Sequence, residues 1–274
     1  MSATATVERA ASGSLVNQQR SKLSWAFSDG VAVTWRNLVA LTRTPDAMFF
    51  SSIQPVMFTL LFTYVFGGAI RVPGFKYVDF LMPGIFVQTI AFGAVGTAVG
   101  LADDMSKGLI ERFRSLPMAR SAVLFGRTTA DLVRNVWVIT LMTVVGYIVG
   151  FRVHTNLLGF LGGVLVLLLF SYTVAWGFAT IGLMASSGET AQLMVFPVLM
   201  PLTFVSGAFV PIASMPGWLQ VFARNQPVNA VVNATRVLMQ GGPTTAPVLK
   251  TLAWSFGLLA VLAPIAVRRY RRAV

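Results

Sequence analysis

Apolar residues gather into six long stretches, 47–70, 80–101, 132–151, 157–185, 191–210 and 251–267, separated by shorter polar ones. Crossing the hydrocarbon core of a bilayer takes roughly 20 apolar residues as helix, because in lipid every backbone amide must be bonded within its own segment. Each stretch is about that long. None carries a Lys, Arg, Asp or Glu in its interior; Asp79, Asp131 and Arg134 fall at the boundaries. The pattern predicts an all-α, polytopic membrane protein with six transmembrane helices.

Two flanking patterns differ from these stretches. From 25 to 44, Trp25, Phe27, Val31, Trp35, Leu38 and Leu41 recur at helical spacing among Asp29, Arg36, Asn37 and Arg43. That periodicity suits an amphipathic helix in the membrane interface, with the two tryptophans at headgroup depth. Pro45 then punctuates the chain before the first span. Residues 206–243 are moderately apolar but broken by Pro211, Pro216, Gly217 and Pro227, with Trp218 and Arg236 among them. Neither half is long enough to span, so short helices dipping partway into the outer leaflet are expected. Backbone of that kind is tolerated at membrane depth only where protein or a water-filled cavity covers it.

Between the second and third stretches, Leu101, Met105, Leu109, Phe113 and Leu116 fall on one helical face. Asp103 and Asp104 stand at the start of that helix and Arg112 and Arg114 near its end, the arrangement its dipole favours; Pro117 stops it. An apolar stripe facing water needs cover. A partner's groove, the membrane interface and the chain's own loops satisfy the periodicity equally. The fourth and fifth stretches are joined only by residues 186–190, containing Glu189, which makes those helices antiparallel neighbours.

Composition narrows the class. With 55% hydrophobic and 11% charged residues in 274, a soluble domain is excluded, and six spans leave no room for a second globular domain. Residues 1–24 lack the apolar core of a signal peptide and are expected to form a tail, with 25–274 a single transmembrane domain. There is no cysteine and one histidine, His154, expected to be a solvated loop residue; thiolate chemistry and a histidine metal cluster are excluded.

The net charge of +12 is a topology signal rather than a nucleic-acid one. Fifteen of the 21 Lys and Arg lie before the first span, between the second and third, at the start of the third (Arg134), or after the last; Arg71, Lys76, Arg152, Arg224, Arg236 and Lys250 lie on the other side. Positive residues accumulate on the cytoplasmic side, which puts both termini there, and anionic headgroups become secondary partners.

Ion-coupled carriers place ionisable groups inside their spans. Here the interiors offer Gln54, Gln88 and Gln192 with scattered Ser and Thr, and no G-x-x-x-x-G-K-[ST] loop or carboxylate pair occurs. The chain is therefore expected to be no enzyme and to bind no cofactor. Gly93, Gly96 and Gly100, and Gly159 with Gly163, permit close helix contact, within the chain or across a dimer. Gln54-Pro55 and Phe196-Pro197 with Pro201 mark bends. Tyr64, Phe66, Phe86, Phe92, Trp137 and Phe204 are candidate lining for an apolar solute, against a default of facing lipid.

As a whole the pattern resembles the permeases of type-2 ATP-binding-cassette exporters, of the daunorubicin/doxorubicin-resistance type. The likeness rests on the interfacial helix, six spans, a first loop reading Glu111-Arg112-Phe113-Arg114-Ser115-Leu116-Pro117, and the broken segment with Asn225-Gln226-Pro227 and Arg236 nine residues after the proline. Val228 and Ala230 depart from the family's signature.

The resemblance implies that Asp103, Asp104, Met105, Leu109, Glu111, Arg112, Phe113 and Arg114 belong to a coupling helix docking on a separate ATPase subunit, where ATP and Mg would be bound. It implies two permeases with two ATPases, switching between inward- and outward-facing states, and re-entrant outer helices carrying Pro211, Pro216, Trp218, Pro227 and Arg236. The expected function is export across the cell (plasma) membrane of an apolar or amphipathic drug-like molecule or lipid. A polysaccharide or lipid-linked glycan cargo, or a membrane-embedded enzyme or assembly factor, is the alternative.

Overall fold

The computed structural model describes residues 45–70, 72, 74, 76–107 and 120–273. Among these residues every regular element is helical. The helices are α1 (Pro45–Leu60), continued by a π turn over Leu61–Phe66, α2 (Tyr77–Gly93), α3 (Val95–Ser106), α4 (Arg120–Val149), α5 (Leu157–Gly182), α6 (Gly188–Phe204), α7 (Gly217–Asn225), α8 (Pro227–Gln240) and α9 (Thr245–Ala273), with a single 3-10 turn at Ile212–Ser214.

Four helical runs are long and apolar enough to cross a membrane: Tyr77–Ser106, Thr128–Val149, Leu157–Gly182 and Thr245–Tyr270. The first is α2 and α3 together. The expected first and fifth spans correspond to shorter apolar helices, α1 with its π turn and the 17-residue α6.

Local chemistry explains several boundaries. Asn156 caps α5 by accepting the Gly159 amide at 2.9 Å, and Ser187 caps α6 by accepting the Thr190 amide at 3.2 Å. Both satisfy helix-start donors that would otherwise be orphaned. Pro55 lies inside α1 without ending it, and Thr59 returns its hydroxyl to the Pro55 carbonyl at 2.9 Å. The helix then loosens into the wider π turn. Pro227 opens α8 at its first turn, where its missing N–H costs nothing.

The fifth apolar stretch does not stay helical to 210. After Phe204 the chain leaves the helix, because its polar backbone is taken by α8: the Gln226 amide donates to the carbonyls of Leu202 at 2.9 Å and Val205 at 3.2 Å.

α5 is the central pillar, packing against α3, α4, α8 and α9. α6 touches α5, as the short 186–190 connection requires, but packs more extensively on α3. The main core surrounds α2, whose Leu81, Met82, Ile85, Val87 and Ile90 are fully buried. A smaller cluster of Leu101, Trp176, Ala179, Leu183, Ala266 and Tyr270 closes the end where α3, α5 and α9 meet. Met57, Tyr64, Trp137, Ile148, Leu158 and Leu193 stand exposed around the outside, apolar surface suited to lipid or to another chain.

Close backbone approach depends on glycine at several contacts, among them Gly182 of α5, where a Cβ would lie 2.5 Å from the Ala98 carbonyl oxygen. A Cβ on Gly84 would lie 2.3 Å from the Ala208 carbonyl oxygen, and one on Gly159 would lie 2.7 Å from that of Leu238. Gly159 and Gly163 thus seat α8 against α5 within the chain, one of the two roles open to them from the sequence.

Candidate functional site

A cavity of about 300 Å³ opens between α1, α2, α3, α4 and α6. Its lining brings together Gln54, Gln88 and Gln192, one polar residue from each of three different apolar stretches, with Arg134 and Asn135 of α4 and the rings of Phe58, Phe92 and Phe196. Phe92 and Phe196 meet edge to face, their centroids 6.2 Å apart. Of the six aromatic residues singled out in the sequence, Phe92 alone is in this lining. Phe86 is buried against Phe151, Phe204 stacks on Phe209, and Tyr64 and Trp137 are exposed.

The site is organised by the break between α2 and α3. At Ala94 the helix tightens, and the Thr97 amide bonds the Ala94 carbonyl at 3.0 Å instead of reaching back one residue further. The carbonyl of Gly93 is released and accepts from Arg134 Nη2 at 2.8 Å. A Cβ on Gly93 would sit 2.9 Å from that nitrogen, so this glycine makes room for the guanidinium. Asp131, one turn earlier on α4, lies 3.6 Å from the same nitrogen and accepts the Thr97 hydroxyl on its other oxygen. Asn135 donates to Ser171 at 2.5 Å, joining α4 to α5.

α4 begins at Arg120, so Asp131 and Arg134 lie inside the helix, within the first two turns of its apolar run Thr128–Val149. Charge that is partly withdrawn from solvent is steadied by a partner, and each has one. Their spacing with Asn135 (i, i+3, i+4) is the sequence signal that would have grouped them on one face.

A second polar assembly lies along α8. Gln226, Asn229, Asn233, Arg236 and Gln240 recur at steps of three and four, one face of the helix. Gln226 caps the helix, accepting from Val228 N at 3.0 Å, while its amide holds the end of α6. Asn229 accepts from the Gly207 amide at 3.1 Å. Arg236 donates to the Gly207 carbonyl at 2.7 Å and to the Phe80 carbonyl at 3.0 Å, with its guanidinium 3.8 Å from the centre of the Phe80 ring. Gln240 donates to the Arg152 carbonyl at 3.1 Å and pairs with His154 Nδ1 at 2.6 Å, so His154 is tied to α8 while remaining the exposed loop residue expected. Pro211, Pro216 and Trp218 border the segment that α8 holds down; Trp218 is 75% exposed on α7.

Of the residues assigned to a coupling helix, Asp103, Asp104 and Met105 lie in the last turns of α3. They end that helix rather than begin a new one. Asp103 accepts the Gly188 amide at 3.0 Å, placing its carboxylate at the positive start of α6. Met105 packs on the cluster around Trp176 and Tyr270. Leu109, Glu111, Arg112, Phe113 and Arg114, and the interfacial Trp25, Phe27, Val31, Trp35 and Leu38, lie outside the described residues.

Among the described residues no group of His, Asp and Glu could hold a metal ion. What the arrangement offers is a polar and aromatic cavity within an apolar bundle, suited to binding a solute.

Comparison with known proteins agrees. Residues 30–239 match the model of the ABC-2 type transporter family. The chain is 36% identical over 253 residues to the daunorubicin resistance ABC transporter permease protein DrrB1 of Streptomyces coeruleorubidus, covering 92% of this chain and 89% of that one. It is 28% identical over 223 residues to the probable doxorubicin resistance ABC transporter permease protein DrrC of Mycobacterium tuberculosis, covering 81% and 80%. Over 191 residues it is 25% identical to the inner membrane transport permease YadH of Escherichia coli, covering 67% and 73%. A match across most of the chain, joined to an all-helical apolar bundle, means that the protein belongs to the ABC-2 type transporter family, as a permease subunit whose ATP hydrolysis resides on a partner ATPase.

Proposed function

We propose that this permease exports a drug-like amphipathic molecule and that the cavity between α1, α2, α4 and α6 is part of its path. The observation carrying the proposal is the convergence on one cavity of the buried Gln88, the partly buried Arg134 and the exposed Gln54 and Gln192 with three phenylalanines. Polar groups are expensive in a membrane interior and mark solute pathways when they occur there. A volume of about 300 Å³ is in the range of small-molecule pockets, which favours a drug-like solute over a glycan chain. The drug-resistance names of the relatives point the same way.

In the same reading α1 with its π turn and α6 complete a set of six spans. α7 and α8 form the re-entrant outer segment, and both termini face the cytoplasm of a cell-membrane protein. Two permeases work with two ATPases, and the stripe containing Leu109 and Phe113 docks into the ATPase groove. Met105, packed on its own chain, contributes to the base of that helix rather than to the docking surface.

Two measurements test this. Purification of the tagged protein from its native membrane in mild detergent should recover a P-loop ATPase in about equal amount, identified by mass spectrometry; recovery of the chain alone under several detergents contradicts the proposal. Replacing Leu109 or Phe113 with glutamate should preserve membrane insertion while abolishing cargo-stimulated ATP hydrolysis in the complex. Normal transport by either variant would remove the coupling role from that loop.

A further inference from the structure

We infer that the outside of α9 holds a phospholipid with a net negative headgroup. Its phosphate meets Lys250 and Arg224, and an acyl chain follows the groove past Trp254 and Gly257 to Val261. The site shares no lining residue with the cavity proposed as the cargo path, and neither depends on the other.

The charge pattern of α9 fixes the depth. Lys250 and Arg268 are the first basic residues on either side of the uncharged run 251–267, and they stand 18 positions apart. At roughly 1.5 Å per residue that is about 27 Å, close to the roughly 30 Å of a hydrocarbon core. Lys250 is thereby set at headgroup level, and Trp254, one turn deeper, at the level that indole rings favour.

Two cations are gathered there. The Lys250 ammonium donates to the Arg224 carbonyl at 2.7 Å, tying α9 to the end of α7, and Arg224 donates to Gln220 on its own helix at 2.9 Å. Each of these bonds uses one donor of a group that has several, and both residues are exposed. Neither helix carries an Asp or Glu, so neither cation is neutralised by its own helix. The anion that a membrane supplies at this depth is a lipid phosphate.

Below the cations lies a groove of about 450 Å³, lined by Lys250, Trp254, Gly257, Leu258 and Val261 among others. Gly257 supplies the hollow, since a Cβ there would meet nothing within 4 Å. From Lys250 to Val261 the helix descends about 16 Å, roughly half the core and so the depth of one leaflet. Leu258 also belongs to the wall of a second cavity of about 340 Å³, between α2, α5, α6, α8 and α9. The Thr173 and Thr180 hydroxyls in that wall are spent on carbonyls of their own helix, at 2.9 and 3.0 Å. What is left is apolar surface that does not hold water and that a hydrocarbon chain fills. A cationic head, a groove of one leaflet's depth and a dry recess beside it match a diacyl phospholipid rather than a soluble anion. On the reading that puts both termini in the cytoplasm, the leaflet is the outer one.

The test takes the full-length protein, purified in mild detergent and stripped of lipid, and measures retained phosphatidylglycerol or phosphatidylcholine by native mass spectrometry. The wild type should hold phosphatidylglycerol about tenfold or more tightly than phosphatidylcholine. Lys250→Gln combined with Arg224→Gln should remove that preference, and Lys250→Arg should keep it. Gly257→Leu leaves every charge in place and should lose the same bound lipid. Excess inorganic phosphate should not displace it.

Equal retention of the two lipids by the wild type overturns the inference, as does unchanged retention in Gly257→Leu or an unchanged preference in the double variant. Displacement by inorganic phosphate would reduce the site to one for a soluble anion. If Gly257→Leu instead splits a dimer while the lipid stays bound, the groove belongs to a second copy of the chain. The protein has no cysteine, so Lys250→Cys can be labelled with a membrane-impermeant maleimide to test the leaflet separately. Labelling in intact cells supports the outer leaflet; labelling only after lysis refutes the orientation and leaves the lipid site standing.

Discussion

Replacing Arg236 with methionine should cost the protein its folded outer segment, seen as loss of a monodisperse peak in mild detergent and of all transport. The guanidinium is shared by two elements, donating to Phe80 at the start of α2 and to Gly207 in the loop after α6. It also lies over the Phe80 ring and bonds the Asn233 side chain at 3.3 Å. Methionine matches the length and apolar bulk of the stem but leaves two carbonyls without that donor. Each orphaned buried carbonyl costs about 1–3 kcal/mol, and loss of the cation–π contact adds roughly 1 kcal/mol more. A total of roughly 3–7 kcal/mol is a large part of the stability of an ordinary domain. Lysine should be only partly better, because a single ammonium cannot reproduce the planar fork that reaches both carbonyls. If the methionine variant purifies and melts like the wild type, the loop after α6 is held by something other than Arg236.

Gly84→Val should be comparably damaging for a steric reason. The loop at Ala208 lies directly on α2, and a Cβ at position 84 would fall 2.3 Å from the Ala208 carbonyl oxygen and 2.6 Å from its Cα. Both atoms are backbone, so no rotamer change relieves the overlap. The loop is also held by Asn229, Arg236 and the Tyr77 hydroxyl, which donates to the Phe209 carbonyl at 2.9 Å. Overpacking a tight core costs about 1–3 kcal/mol, and more where backbone must move. The expected result is a drop in thermal midpoint of several degrees in detergent, with a smaller drop for Gly84→Ala. Gly257 of α9 has nothing within 4 Å of a built Cβ, so Gly257→Ala is the matched control and should leave the midpoint unchanged or slightly raised. Equal midpoints for Gly84→Val and Gly257→Ala would mean that the loop does not pack against α2 as described.

These two positions mark the limit of what hydropathy reveals. Gly84 is unremarkable in an apolar stretch, and its importance comes from a loop more than 120 residues later in the chain. Arg236 was identifiable from its distance to Pro227, but not its partners. The stripe Gln226, Asn229, Asn233, Arg236 and Gln240 reads in sequence as the wet side of an amphipathic helix. In the structure Gln226, Asn229 and Gln240 are buried, and the stripe faces backbone donors and acceptors of α2, α6 and the loop before α5. A helix presents the same polar periodicity whether its partner is water or peptide groups.

The sequence by itself determined that the protein is an all-α membrane protein. Long apolar runs without charge have few structural solutions in lipid, and each run carries its own hydrogen bonding. It also supplied the glutamines, the prolines and the small residues of the interior.

The tertiary structure alone decided that Gln54, Gln88 and Gln192 line one cavity, and that the break at Ala94 frees the Gly93 carbonyl for Arg134. It alone showed Asp103 capping α6 and Met105 packed at home. Helix formation is local and is written in neighbouring residues; convergence is set by how distant helices pack, and a residue's hydropathy does not encode which atoms it will meet.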